Sequence, residues 1–162
     1  MAVGLLALTL ASCSGQRMRD KIRIDGIERV RPQGLSHLYL ELRTTNDSGR
    51  NLKVRELTLA FYYGSSAEPT VTATLLEPVT LRKHTSGGLP TKWRLAYADL
   101  LAWMPLLRAV GGGSFDGWRV AVQLKGRCGV MPINISSEAL PLSTILRTFG
   151  VDTKNLEKLI QS

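Results

Sequence analysis

A chain of 162 residues, 44% apolar and 21% charged, is long enough to bury one core and too apolar to be disordered throughout, so a single globular domain is expected. Its formal charge of +8 favours anionic partners, but Lys and Arg are dispersed, with no dense basic run and no aromatic-basic motif of the RNA-recognition kind, so nucleic acid is not expected. With Cys13 and Cys128 as the only cysteines, no disulfide framework holds the fold.

The chain opens on an apolar run, residues 3–10 (VGLLALTL), that ends in Leu10-Ala11-Ser12-Cys13 and then turns abruptly polar at 14–17 (SGQR). The run matches the length of a secretory signal and falls well short of the roughly 20 apolar residues that span a bilayer. The pattern resembles the lipobox of bacterial lipoprotein signal peptides. In such proteins the small residues fit the peptidase cleft, the cysteine thiol takes a diacylglyceryl group, and cleavage leaves that cysteine first.

Residues 1–12 are then signal peptide, Cys13 is the lipidation site, 13–20 form a lipidated tether, and 21–162 form a single domain. Acyl chains at about 0.8 kcal/mol per buried methylene give stable attachment once two or three are present. No acid follows Cys13 directly, which suits lipid anchoring in the outer membrane on the periplasmic side. The absence of Lys or Arg before the apolar run departs from the usual signal. The competing reading is a buried strand or helix with an incidental cysteine. If Cys13 is acylated, Cys128 has no partner within the chain and is expected as a buried small hydrophobe rather than a nucleophile.

After the tether the apolar residues alternate, the mark of half-buried strands. Ile22 and Ile24 begin the pattern, and Gly26 breaks its phase before Ile27 and Val30, as a bulge would. Leu38, Leu40 and Leu42 share a face against Tyr39, Glu41 and Arg43. Residues 44–51 (TTNDSGRN) read as a turn. Leu57, Leu59, Phe61 and Tyr63 line the next strand, followed by Val71, Ala73 and Leu75, then Val79 and Leu81. Residues 83–90, with Gly87-Gly88, read as a loop. Trp118, Val120, Val122 and Leu124 form a late strand, and 130–135 a short one whose Pro132 marks an edge.

Residues 95–110 (LAYADLLAWMPLLRAV) are the exception. Tyr97, Leu100, Leu101, Met104 and Leu107 fall on one helical face, with Pro105 expected to kink or restart the helix. Two roles are open to it: a helix packed on the sandwich, or a lid over an apolar ligand site. Residues 152–160 (DTKNLEKLI) read as a short C-terminal helix with Asp152 or Thr153 as N-cap. Strands separated by turns, without alternating helices, predict a mostly β protein, an immunoglobulin-like antiparallel β-sandwich with one amphipathic helix at about 95–110.

The order of these pieces resembles the type-2 late-embryogenesis-abundant domain, also called the water-stress and hypersensitive-response domain, in its bacterial lipoprotein form. The resemblance is carried by LYLELRTTNDSGRN, LTLAFYYG, LAYADLLAWMPLL and WRVAVQLKGRCGVMPINISSEALPL, which together reach from about Ile24 to Leu142. Asn46-Asp47 stands where the family usually has Asn-Pro-Asn, and Arg127-Cys128 stands in the hairpin turn. The resemblance implies a seven-stranded sandwich without catalytic residues and a role in stress protection or lipid-related binding.

The sequence offers no catalytic set, no metal site and no cofactor motif. His37 and His84 lack companions at metal-ligand spacing, no Gly-x-Ser-x-Gly elbow occurs, and Gly111-Gly112-Gly113 lacks the Lys-Ser/Thr of a phosphate-binding loop. The expected function is a lipid-anchored, non-enzymatic envelope module for binding or structure. The alternative is a periplasmic carrier or chaperone for lipids or other apolar molecules. The expected partners are the membrane, through N-terminal acyl chains, and anionic envelope components or lipids; oligomeric state is not indicated.

Overall fold

The computed structural model describes residues 21–112 and 114–148. The expected signal segment at 1–12, Cys13, the expected tether to residue 20 and the helix expected at 152–160 lie outside them. Among the described residues, nine strands and two short helices follow in the order β1 (Ile22–Gln33), β2 (His37–Asn46), β3 (Leu52–Tyr63), β4 (Val71–Leu75), β5 (Val79–Leu81), β6 (Thr85–Tyr97), α1 (Trp103–Gly112), β7 (Trp118–Cys128), β8 (Met131–Ser136), β9 (Leu140–Pro141) and α2 (Leu142–Thr148).

All pairings are antiparallel, in the spatial order β1-β2-β6-β4-β3-β7-β8, with β5 on β3 and β9 on β7. One continuous sheet therefore holds every strand, and it curls on itself. Ile22 of β1 packs with Cys128 of β7 and Ile133 of β8, although β1 and β8 stand at opposite ends of that order. The result is a sandwich-like, mostly β fold.

Period-two alternation sends the apolar residues inward as expected. Leu42 faces Leu89, Leu59 faces Ala73 and Val122, and Phe61 faces Val71 and Val120 across their ladders. The phase break near Gly26 is a pair of register irregularities, between Ile24 and Gly26 and between Ile27 and Arg29. A third lies between Val54 and Glu56, where Arg55 is left over opposite β7. Beside it, Gly126 is obligatory: a Cβ there would lie 2.1 Å from the Lys53 carbonyl oxygen.

Two stretches differ from the sequence reading. Residues 85–90 are strand, not loop, because β2 pairs with them from Asn46↔Thr85 to Glu41↔Pro90. The ladder from β4 reaches β6 only at 93–97, so the missing donor of Pro90 removes no bond on that side. The helix begins at Trp103 because Leu95 and Tyr97 pair with Ala73 and Val71 and so belong to β6. Pro105 then sits in the first turn of α1, where backbone N–H groups have no intrahelical partner. The preceding turn is fastened by Asp99, whose Oδ1 accepts the Leu101 N–H at 2.8 Å.

The strands define two ends. At the base lie the start of β1, the 47–51 loop, the 82–84 connection and the β7–β8 turn; at the top lie the β1–β2 turn, α1 and α2. α1 closes the top by inserting Ala109, with Leu106 and Val110, against Val71, Phe115, Trp118, Val120 and Leu142.

Candidate functional site

The lower half of the sandwich contains an apolar cavity of about 120 Å³, partly open to solvent, between the wing of β1, β2 and β6 and that of β3, β5 and β7. Ile22, Ile24, Leu42, Leu57, Trp93 and Leu124 contribute to its wall. Thr91 also faces it, but its hydroxyl donates to the Leu40 carbonyl and accepts the Trp93 Nε1–H, both at 2.8 Å. The wall thus excludes water's hydrogen bonds and presents carbon. A comparable cavity of about 150 Å³ lined by aliphatic and aromatic groups stays dry and takes benzene, so this one suits a ring or the end of an acyl chain, not a whole lipid.

Below the cavity the base is locked by a buried polar network. Asn46, 1% exposed, donates through Nδ2 to the carbonyls of Leu81 (2.8 Å) and Arg50 (2.9 Å), and its Oδ1 accepts the N–H (3.0 Å) and hydroxyl (2.6 Å) of Ser48. Asn51 continues it, accepting the Lys83 N–H on Oδ1 (2.8 Å) and the Gly129 N–H on its carbonyl (2.9 Å). The Asp47 N–H reaches the Lys21 carbonyl at 2.7 Å. Four separate segments are thereby held as one surface. Nearby, Asp25 accepts the Thr45 hydroxyl at 2.5 Å and the Arg23 Nε–H at 2.7 Å. The Thr45 bond, then Arg23, hold its carboxyl below the ordinary value of 3.8, against the opposing effect of burial.

The residues singled out on the apolar face lie at the opposite end. Tyr97 ends β6, half-buried, and its hydroxyl donates to the Leu35 carbonyl; burial pushes its pKa up. Leu100 and Leu101 lie in the turn before α1, 91% and 64% exposed, and Met104 and Leu107 face outward from α1. All five lie at the top, the end where Leu35 is also exposed, and none of them lines the cavity. The side of α1 that enters the core is the other one, because ending β6 at Tyr97 resets the helical phase.

Cys128 is buried and not disulfide-bonded. His84 is exposed in the 82–84 connection with a φ of 54°, and His37 Nδ1 lies 2.9 Å from the Ser36 hydroxyl. Among the described residues no three His, Cys, Asp or Glu gather as metal ligands, and no helix is long and apolar enough to cross a membrane. The cavity and the basal network escaped the sequence reading. The alternating Leu and Ile residues signal an interior but not a gap in it, and 44–51 signals a turn but not its burial. No family model matches the chain, and no curated protein matches it.

Proposed function

We propose that the protein is a non-enzymatic module attached to an envelope membrane through acylated Cys13, facing the periplasm from the outer membrane, and that its sandwich binds the apolar end of a lipid-like molecule. The observation that supports binding is the cavity: carbon-lined, partly open, with the Thr91 hydroxyl at its wall engaged by Leu40 and Trp93. A site of this kind selects by shape and hydrophobicity, as most small-molecule pockets do in their apolar part. Its volume favours a chain terminus or single ring over a complete acyl chain.

Two experiments separate the parts of this reading. For attachment, Cys13→Ser should move the protein from the membrane fraction to the soluble fraction; retention on the membrane would refute acylation at Cys13. For binding, a chain starting at Ser14 keeps every described residue and carries no acyl group. Organic extraction followed by mass spectrometry should recover a co-purifying lipid, and a medium-chain fatty acid should bind and displace a fluorescent apolar probe. Leu57→Trp should fill the cavity and abolish probe binding. Absence of both extractable lipid and probe binding would refute the carrier reading and favour the structural, stress-protective role that the late-embryogenesis-abundant resemblance implies.

A further inference from the structure

We infer that the base of the sandwich is a docking surface for an anionic lipid bilayer, with the β7–β8 tip entering the interface and the surrounding cations engaging lipid phosphates. At the tip, Val130 is 91% and Met131 42% exposed, an unusual placement for two adjacent apolar residues in a hairpin. The same end exposes Lys21, Arg50, Lys53, Arg82, Lys83 and Arg127. Asp25 and Asp47 are both engaged by Arg23, at 2.7 and 4.0 Å, and Glu28 and Glu56 farther up the strands are paired with Arg43 and Lys125. The field at this end is therefore positive around an apolar point, the combination that binds charged membrane interfaces.

The surface is also preorganised. Asn46, Ser48 and Asn51 bond the 47–51 loop to the 82–84 connection and the β7–β8 turn, and the Arg50 side chain runs along Gly129, whose φ of +61° makes the turn. Cations and tip are presented together, without the ordering cost of a mobile loop.

The choice of a bilayer over a soluble polyanion rests on the tip and on the attachment reading. β1 starts at this end, so the chain from Cys13 joins the domain here. Eight residues of tether reach at most about 30 Å. The top of the sandwich, with its exposed leucines, stands about 35 Å away along β1. The tether can thus lay the base on the membrane but cannot bring the top to it.

The test uses the chain from Ser14, which has no acyl chain, so its outcome is separate from that of the Cys13→Ser fractionation. It should sediment with vesicles of phosphatidylcholine containing about one-third phosphatidylglycerol and not with phosphatidylcholine alone. Since each cation near an anionic surface contributes about fivefold in affinity, Arg82→Glu with Lys83→Glu should weaken binding at least tenfold. Half-molar salt should weaken it similarly, because screening then acts within a few ångströms. Val130→Asp with Met131→Ser should also weaken it at least tenfold, and a fluorophore placed at residue 130 should be quenched by lipids brominated in their acyl chains. All these positions are exposed, and unchanged urea midpoints would show that folding is intact. Equal binding to both vesicle types, or no binding, overturns the proposal. So does charge-dependent binding that ignores the tip substitutions, which would indicate a soluble polyanion instead.

Discussion

Replacing Asn46 by Ala removes a side chain whose every hydrogen-bonding group is used. The Arg50 carbonyl takes the Ser48 hydroxyl, 2.9 Å away, as donor once Asn46 no longer accepts it, so it is not stranded. The Leu81 carbonyl and the Ser48 N–H lose their side-chain partner in a place water does not reach, Ser48 being fully buried. At about 1–3 kcal/mol for each buried group left unpaired, the loss is about 3–4 kcal/mol. With a urea slope of about 1.5–2 kcal/mol/M, the unfolding midpoint should fall by about 2 M. Equilibrium urea unfolding followed by tryptophan fluorescence measures it, with exposed Asn134→Ala as control. The Ser48→Ala change should be strongly non-additive with it, by about 1 kcal/mol or more, because both act through one set of bonds. A midpoint shift no larger than that of Asn134→Ala, or full additivity with Ser48→Ala, would refute the network as the lock of the base.

Gly126→Ala should cost about 3 kcal/mol or more in urea unfolding, since the new methyl meets the Lys53 backbone and the two strands must part, whereas Gly111→Ala, open on all sides, should be neutral or mildly stabilising. In a chain lacking Cys13, the Cys128 thiol should react with a disulfide reagent only at the rate of unfolding; prompt labelling in buffer would contradict its burial. Asp25 has a lowered folded-state pKa, so it contributes stability above the ordinary carboxylate range and loses it as pH falls through the folded value. Thr45→Val should raise that pKa toward 3.8 and flatten the fall in stability below about pH 4, as read from urea midpoints between pH 2 and 6.

The strand faces were legible because burial on one side of a sheet imposes period two directly on the sequence, as at Leu38, Leu40 and Leu42 or Val71, Ala73 and Leu75. Residues 85–90 were not, because Gly87, Gly88 and Pro90 carry turn chemistry locally while the pairing with β2 is decided forty residues away. The start of α1 was ambiguous because Leu95 and Tyr97 fit a helical stripe and a strand face equally. α2 left a signal that went unread, Leu142, Ile145 and Leu146 at helical spacing. Of the candidate site, the sequence named apolar residues that the fold places at the top. The cavity and the polar lock beneath it depend on which strands face each other, and no local pattern records that.

Because the sheet curls without closing into a barrel, β1 and β8 each leave one edge of backbone groups unpaired by a further strand among the described residues. On the proposed attachment through Cys13, chains confined to a membrane plane would meet one another far more often than the same chains in solution, and an open edge invites strand addition from a neighbour. β1 answers with two irregularities in its register and with Arg29, Arg31 and Pro32 along its length. β8 answers by being only six residues long with Pro132 near its start. A sheet blunted in this way can be crowded on a surface without its copies zipping into fibres, and the bulge that first showed as a broken alternation at Gly26 is part of what keeps neighbouring copies separate.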